Sequence, residues 1–293
     1  MPYVTGIAND LTALRAALFN ACTDNGWTLS GDVLHKDAVY VRVQVGASYL
    51  SFLGGTGIDG SNNLIGAGPF EKRIAGIISN LSWPMTYEVF IGSEPDEIYF
   101  VCNYNVDLYI WAAFGQSSVQ GLSGTGAWYA GSSDTSVYNG TIGITSTTVS
   151  SQAICPALFW GNAGYQAQTS SYIHHGIDGR TWSTGVAADL ASAMLLSSVL
   201  QDVLPNAWNG ESMLLPIQAC VRRASGGTTS LAADLAHARY MRIDNHVPGD
   251  IITLGPDRWK VFPWFKKNTA ARNGGSSIDH TGTFGWAIRY GGP

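Results

Sequence analysis

The sequence predicts an α+β fold, predominantly antiparallel β, with an N-terminal helix packed on an antiparallel sheet. A loop-rich, mainly β C-terminal region with one or two helices follows. Three observations lead there. One stretch near the start carries apolar residues at helical spacing. Many later stretches alternate apolar and polar residues with a period of two. The 293 residues include 35 glycines, which supply the positive φ that tight turns between short strands require.

The helix is expected over residues 10–24. Leu11, Leu14, Leu18 and Ala21-Cys22 recur at spacings of three and four and form one apolar stripe. Asn9 or Asp10 can cap its start, and Asn25-Gly26 reads as its left-handed stop. Trp27-Thr28-Leu29 and Val33-Leu34 flank Ser30-Gly31-Asp32, which reads as a hairpin turn. Val39, Val41, Val43 and Val45 alternate with Tyr40, Arg42 and Gln44, the mark of a half-buried strand. Tyr49 to Leu53 is a further strand, and residues 54–63 form a polar, Gly-rich loop.

A three-stranded antiparallel meander is expected from Met85 to Phe114, with turns at Glu94-Pro95-Asp96-Glu97 and Asn103 to Asp107. It closes an N-terminal α+β domain over 1–118. A mainly β domain with a terminal hairpin occupies 119–293. In this second domain Ile142 and Ile144 suggest a thin strand, and Val186 to Leu204 a helix. Met213 to Ile243 mixes apolar stretches and is left unassigned. Ile251–Leu254, the turn Gly255-Pro256-Asp257, and Trp259, Val261 and Phe262 form the hairpin. Phe284 to Tyr290 is the last strand.

Composition narrows the function. Charged residues make up 13%, about half of the usual ~25%, while apolar residues are at an ordinary level. A net charge of −5 argues against general nucleic-acid binding, which needs a basic face to displace counterions. The chain begins without a basic or apolar leader, and no stretch approaches the ~18 apolar residues of a membrane span, so no membrane insertion is expected. Cys22, Cys102, Cys155 and Cys220 form no CxxC pair and read as free thiols, suiting a protein made in a reducing cytoplasm.

Catalytic and metal constellations are sparse, and no cofactor, catalytic or metal residue is expected. His174-His175 could join Asp178 only from a loop, since neighbours on a strand point to opposite faces. Asp59 to Asn63 is rich in oxygen atoms but lacks the glutamate of a calcium loop, so a plain turn is the better reading. Asp96, Glu97 and Asp107 lie around the meander, where turn acids are ordinarily solvated. Trp128, Tyr129, Trp160 and Trp182 sit among small polar residues and are candidates for stacking on sugars, although packing in the core or at a subunit interface explains them better.

Four stretches together resemble a family of virion proteins from the tail gene clusters of tailed phages and prophages, particularly of pseudomonads. They are Gly26-Trp27-Thr28-Leu29-Ser30-Gly31 through Lys36; Pro95-Asp96-Glu97-Ile98-Tyr99 through Asn103-Tyr104-Asn105-Val106-Asp107 and Ala113 to Ser117; Ile154-Cys155-Pro156-Ala157-Leu158-Phe159-Trp160; and Trp259-Lys260-Val261-Phe262-Pro263 through Arg272, ending His280 to Ala287. The resemblance implies a structural, non-enzymatic component of the virion tail or baseplate. It would assemble as a ring or trimer with itself and with other tail proteins, and it carries no catalytic residues over. On this expectation the aromatic hairpin is the leading contact surface, with Arg258, Trp259, Lys260, Phe262, Trp264, Phe265, Lys266 and Lys267 as its residues. Cutting the chain before Pro248 should then block incorporation into particles. A receptor- or carbohydrate-binding tail component and an envelope-degrading hydrolase are the alternatives.

Overall fold

Alternating apolar side chains on both faces of a sheet require a packed layer on each side. The computed structural model meets that requirement with a stack of three sheets. It describes residues 1–76, 80–132, 158–159, 171–183, 206–225, 227–265, 267 and 284–293. The strand expected at Ile142 and Ile144, the helix at Val186 to Leu204, and Cys155, Trp160 and Lys266 lie outside them.

The middle layer is a six-stranded antiparallel sheet in the order β1-β9-β10-β11-β12-β13. Its strands are β1 (Tyr3–Ala8), β9 (Met85–Gly92), β10 (Glu97–Asn105), β11 (Leu108–Gln116), β12 (Ala127–Gly131) and β13 (Ser171–Ile173). The expected meander is its centre, in register Ile98↔Ile91 and Ile98↔Phe114. Alternate side chains feed two cores. Ile98, Phe100, Cys102, Ile110, Ala112 and Phe114 enter one, and Tyr99, Val101, Trp111 and Ala113 enter the other.

The first core is closed by α1 (Leu11–Thr23) and by a five-stranded sheet in the order β2-β3-β4-β5-β8. Those strands are β2 (Thr28–Ser30), β3 (Val33–Lys36), β4 (Val39–Val45), β5 (Tyr49–Gly55) and β8 (Lys72–Ala75). The Asp10 carboxylate caps α1 by accepting from the Ala13 amide at 2.7 Å. At the other end Gly26 takes φ +84° and the Trp27 amide turns back to the Cys22 carbonyl at 3.1 Å. Leu14, Leu18, Phe19, Ala21 and Cys22 form the buried face of the helix. A two-stranded ribbon, β6 (Gly57–Ile58) with β7 (Leu64–Ile65), crosses the outer side of this sheet beside β4.

The second core is closed by the C-terminal sheet, order β14-β15-β18-β17-β16. Its strands are β14 (Leu215–Arg222), β15 (Thr229–Arg242), β16 (Ile251–Leu254), β17 (Asp257–Pro263) and β18 (Phe284–Arg289). The hairpin and last strand fall where the alternation placed them. The unassigned stretch from Met213 contains β14 and the 14-residue β15. The middle sheet takes strands from both sides of residue 118, because β12 and β13 join it from beyond.

Candidate interaction surface

The aromatic residues expected to form a contact surface are turned inward. Trp264 stacks on Trp286 at 4.6 Å, and Trp111 of the middle sheet lies 5.1 Å from Trp286. Phe262 meets Phe90 at 5.8 Å, while Trp259 and Phe265 are also buried. The expectation fails because the hairpin's aromatics fill the gap between two layers, where burying a large ring stabilises most.

The charged residues beside them are engaged as well. Arg258 donates to the Gly292 and Pro293 carbonyls at 2.8 and 2.9 Å and lies over Tyr290. Lys260 donates to Glu88 at 2.5 Å and to the Tyr3 hydroxyl at 3.0 Å. Burial works against the Lys260 ammonium, but Glu88 and Tyr3 outweigh it and hold its pKa above the ordinary lysine value. Lys267 is buried and donates to the Ile243 carbonyl at 2.5 Å.

Of the candidate sugar-stacking aromatics, Trp128, Tyr129 and Trp182 are core residues too. Trp128 faces the second core, 5.6 Å from Phe159. Tyr129 faces the first, stacked on Tyr172 and edge-on to Trp182, both at 5.4 Å. The polar atoms of Tyr129 and Trp182 are committed to the chain itself. The Tyr129 hydroxyl donates to the Phe70 carbonyl at 2.7 Å and the Trp182 indole to the Gly66 carbonyl at 2.9 Å.

The histidine pair and Asp178 do not converge. His174 Nδ1 accepts from the Thr125 amide at 2.9 Å and His175 Nδ1 from the Ile177 amide at 2.9 Å. Each Nδ1 is thereby taken up as an acceptor, and burial lowers the pKa of His174. Asp178 is gripped by Arg223 at 2.6 Å. Among the described residues no group of three His, Cys, Asp or Glu side chains could hold a metal ion. Asp59 accepts from the amides of Ser61 and Asn63, both at 2.8 Å, and so closes its own turn.

Two of the three acids near the meander, Asp96 and Glu97, overturn the solvated reading. Asp96 is buried and takes a hydrogen bond from Lys36 at 2.7 Å. Glu97 is completely buried. Its neighbours in register are Gly92 and Gly115, so no side chain crowds it. Its carboxylate reaches across to β15, where Pro216 pairs with Arg239 but Gln218 pairs with Asp234. The extra residues of β15 form a bulge. Glu97 accepts from the bulge amides of Ala236 (3.0 Å) and His237 (2.9 Å), and from Tyr99 at 2.7 Å. Arg239 donates to the bulge carbonyls of Leu235 and Ala238 at 2.8 and 2.7 Å. Burial raises the Glu97 pKa to about 7, while Tyr99, the two amides and Arg239 oppose the rise. Sequence reasoning missed this pair of sites because the flanking glycines lie in other strands.

What remains exposed is a different apolar surface. Trp208 is 96% exposed at the tip of a turn. The turn is braced: Asn206 Oδ1 accepts from the Trp208 amide, and Asn209 Oδ1 accepts from the Glu211 amide. Gly210 packs beside the Asn245 side chain, which brings the turn to the segment that carries the exposed Val247. Met213 is exposed nearby in sequence. Across the same sheet, β16 is an edge strand that exposes Ile251 and Leu254, with a partner on one side only among the described residues. An open apolar edge is a template for pairing with another chain. No family model matches the chain, and no curated protein matches it.

Proposed function

We propose that the chain is a structural component of a bacteriophage virion, in the tail or baseplate, which works through contacts with copies of itself and with neighbouring tail proteins. The observation that carries the assembly role is Trp208, held fully exposed on a pre-braced turn. An exposed tryptophan loses hydration without loss of loop entropy when a partner covers it, and such rings dominate interface energetics. The open β16 edge offers a second contact, through backbone hydrogen bonds and the Ile251 and Leu254 side chains. The tail assignment rests on the four stretches that resemble tail-cluster virion proteins. Closed rings would use such patches repeatedly around a symmetry axis.

The experiment is mass spectrometry of purified particles, followed by location of the protein in a particle reconstruction. The expected result is its presence in a ring near the tail end. A Trp208→Ser variant should melt like the wild type yet be depleted from particles. Absence of the wild-type protein from particles overturns the virion role. Normal incorporation of Trp208→Ser overturns this contact surface.

A further inference from the structure

The β6–β7 ribbon leaves a pocket on the outer side of the N-terminal sheet. About 340 Å³ in volume, it lies between the ribbon's tip and the β2–β3 turn, at the small end of ligand-binding pockets. Strand alternation sends Val41 and Val43 into the core and leaves Arg42 and Gln44 on the outer face. Asp32 borders the pocket from the hairpin turn, Asn62 from the ribbon, and the half-buried Leu64 supplies an apolar face over the buried Val33.

The polar groups are arranged for a ligand that both donates and accepts. Asp32 is ion-paired with Arg15 and takes the Gln44 amide at 3.1 Å. Partial burial opposes ionisation, but Gln44, Arg15 and the charge of Arg42 outweigh it and hold the Asp32 carboxyl below its ordinary pKa. The Arg42 side chain makes neither an ion pair nor a hydrogen bond among the described residues. Arg15 and Arg42 together exceed Asp32 by one positive charge. Asn62 is set at φ +61° by the Asp59-anchored turn, and the Asp59 carboxylate is occupied by that turn.

A sugar hydroxyl donates to a carboxylate while accepting from a cation or amide, and a sugar ring presents a C–H face to apolar side chains. One surplus positive charge matches one negative charge. A doubly charged phosphate would meet Asp32. We propose that this pocket binds a saccharide unit bearing a single carboxylate. Arg42 takes the carboxylate, Asp32 and the Asn62 amide take ring hydroxyls, and Leu64 lies against the ring. The proposal goes beyond the assembly role and is independent of it.

The test is amide-resolved NMR titration of the full chain with glucuronate, glucose and acetate at constant ionic strength. Glucuronate should give saturable shifts at residues 31–33 and 61–64, glucose should bind more weakly, and acetate should give none. Arg42→Gln should weaken glucuronate roughly tenfold or more, as loss of a charge-assisted hydrogen bond does. Asn62→Gly, which keeps the positive φ, should weaken it too. Shifts that do not saturate, that acetate or glucose reproduces in full, or that survive in Arg42→Gln overturn the proposal.

Discussion

The Glu97 carboxylate joins the middle sheet to the C-terminal sheet at the point where β15 departs from regular pairing. Two bulge amides and one phenol converge on it. A buried amide left without an acceptor costs about 1–3 kcal/mol, so the carboxylate satisfies groups that the bulge would otherwise leave open. Glu97→Gln keeps the shape but turns an amide NH2 toward a donor, and below pH 4.5 a loss of about 1–3 kcal/mol is expected by urea unfolding. The pH dependence has a definite sign. The folded-state pKa is about 7 against an ordinary 4.5, so the folded state holds a proton where the unfolded chain has released it. That contribution is fully present below pH 4.5 and is lost as pH rises to about 7, a fall of about 3 kcal/mol. The stability difference between wild type and Glu97→Gln should therefore shrink across this window. A difference that stays constant with pH would show that Glu97 does not titrate there. Gly92 is part of the same arrangement: a Cβ on it would lie 2.3 Å from the His237 ring.

At the scale of elements, the C-terminal hairpin is a core element with a charged border. Trp264→Ala should cost about 3–5 kcal/mol, because it empties the space between Trp111 and Trp286. Trp208→Ser should change stability by less than about 0.5 kcal/mol, as an exposed substitution does. Chemical denaturation of the two variants checks both values, and equal losses would contradict this division between core and surface. Removing the chain from Pro248 onward strips Phe262, Trp264 and Trp286 from the second core and Trp259 from the small cluster it forms with Met241 and Val261. Such a truncation would fail by misfolding, so it cannot test an interface. These elements also show which parts of the fold could be read from sequence. The α1 stripe, the β2–β3 turn and the alternation in β4 and β17 are local signals and led to the right elements. In β10 and β11 both faces are buried, so alternation located the strands but could not assign their faces. Tyr109, Trp111 and Ala113 look like partners of Ile98 and Phe100, yet Trp111 and Phe100 enter opposite cores. The β15 bulge masks period-two patterning, which is why Met213 to Ile243 resisted assignment. The contact residues misled for a related reason: aromatics beside charges describe a rim and a layer boundary equally well. Trp208 has no local mark that separates it from a core tryptophan.

At the scale of the whole molecule, the middle sheet is shared by both cores, and this sharing governs cooperativity. Each of its strands contributes alternate residues to the two sides, so neither core can open without exposing a face of β10 and β11. A protein built this way should unfold as one unit, although residues before and after 118 supply most of the outer layers. The two cores carry separate reporters. Cys22 and Cys102 are free thiols buried in the first, and burial pushes both thiols well above the ordinary cysteine pKa, so they are inert while folded. Trp111, Trp128, Trp264 and Trp286 report on the second once Trp27 and Trp182 of the first are replaced by phenylalanine. With Cys155 and Cys220 replaced by serine, thiol reactivity and tryptophan fluorescence should give the same urea midpoint, the sign of a two-state transition. Separate midpoints would mean that the layers are held by independent domains divided near residue 118. They would also weaken the case for Glu97, whose bonds to the β15 bulge are among those that tie the middle sheet to the C-terminal layer.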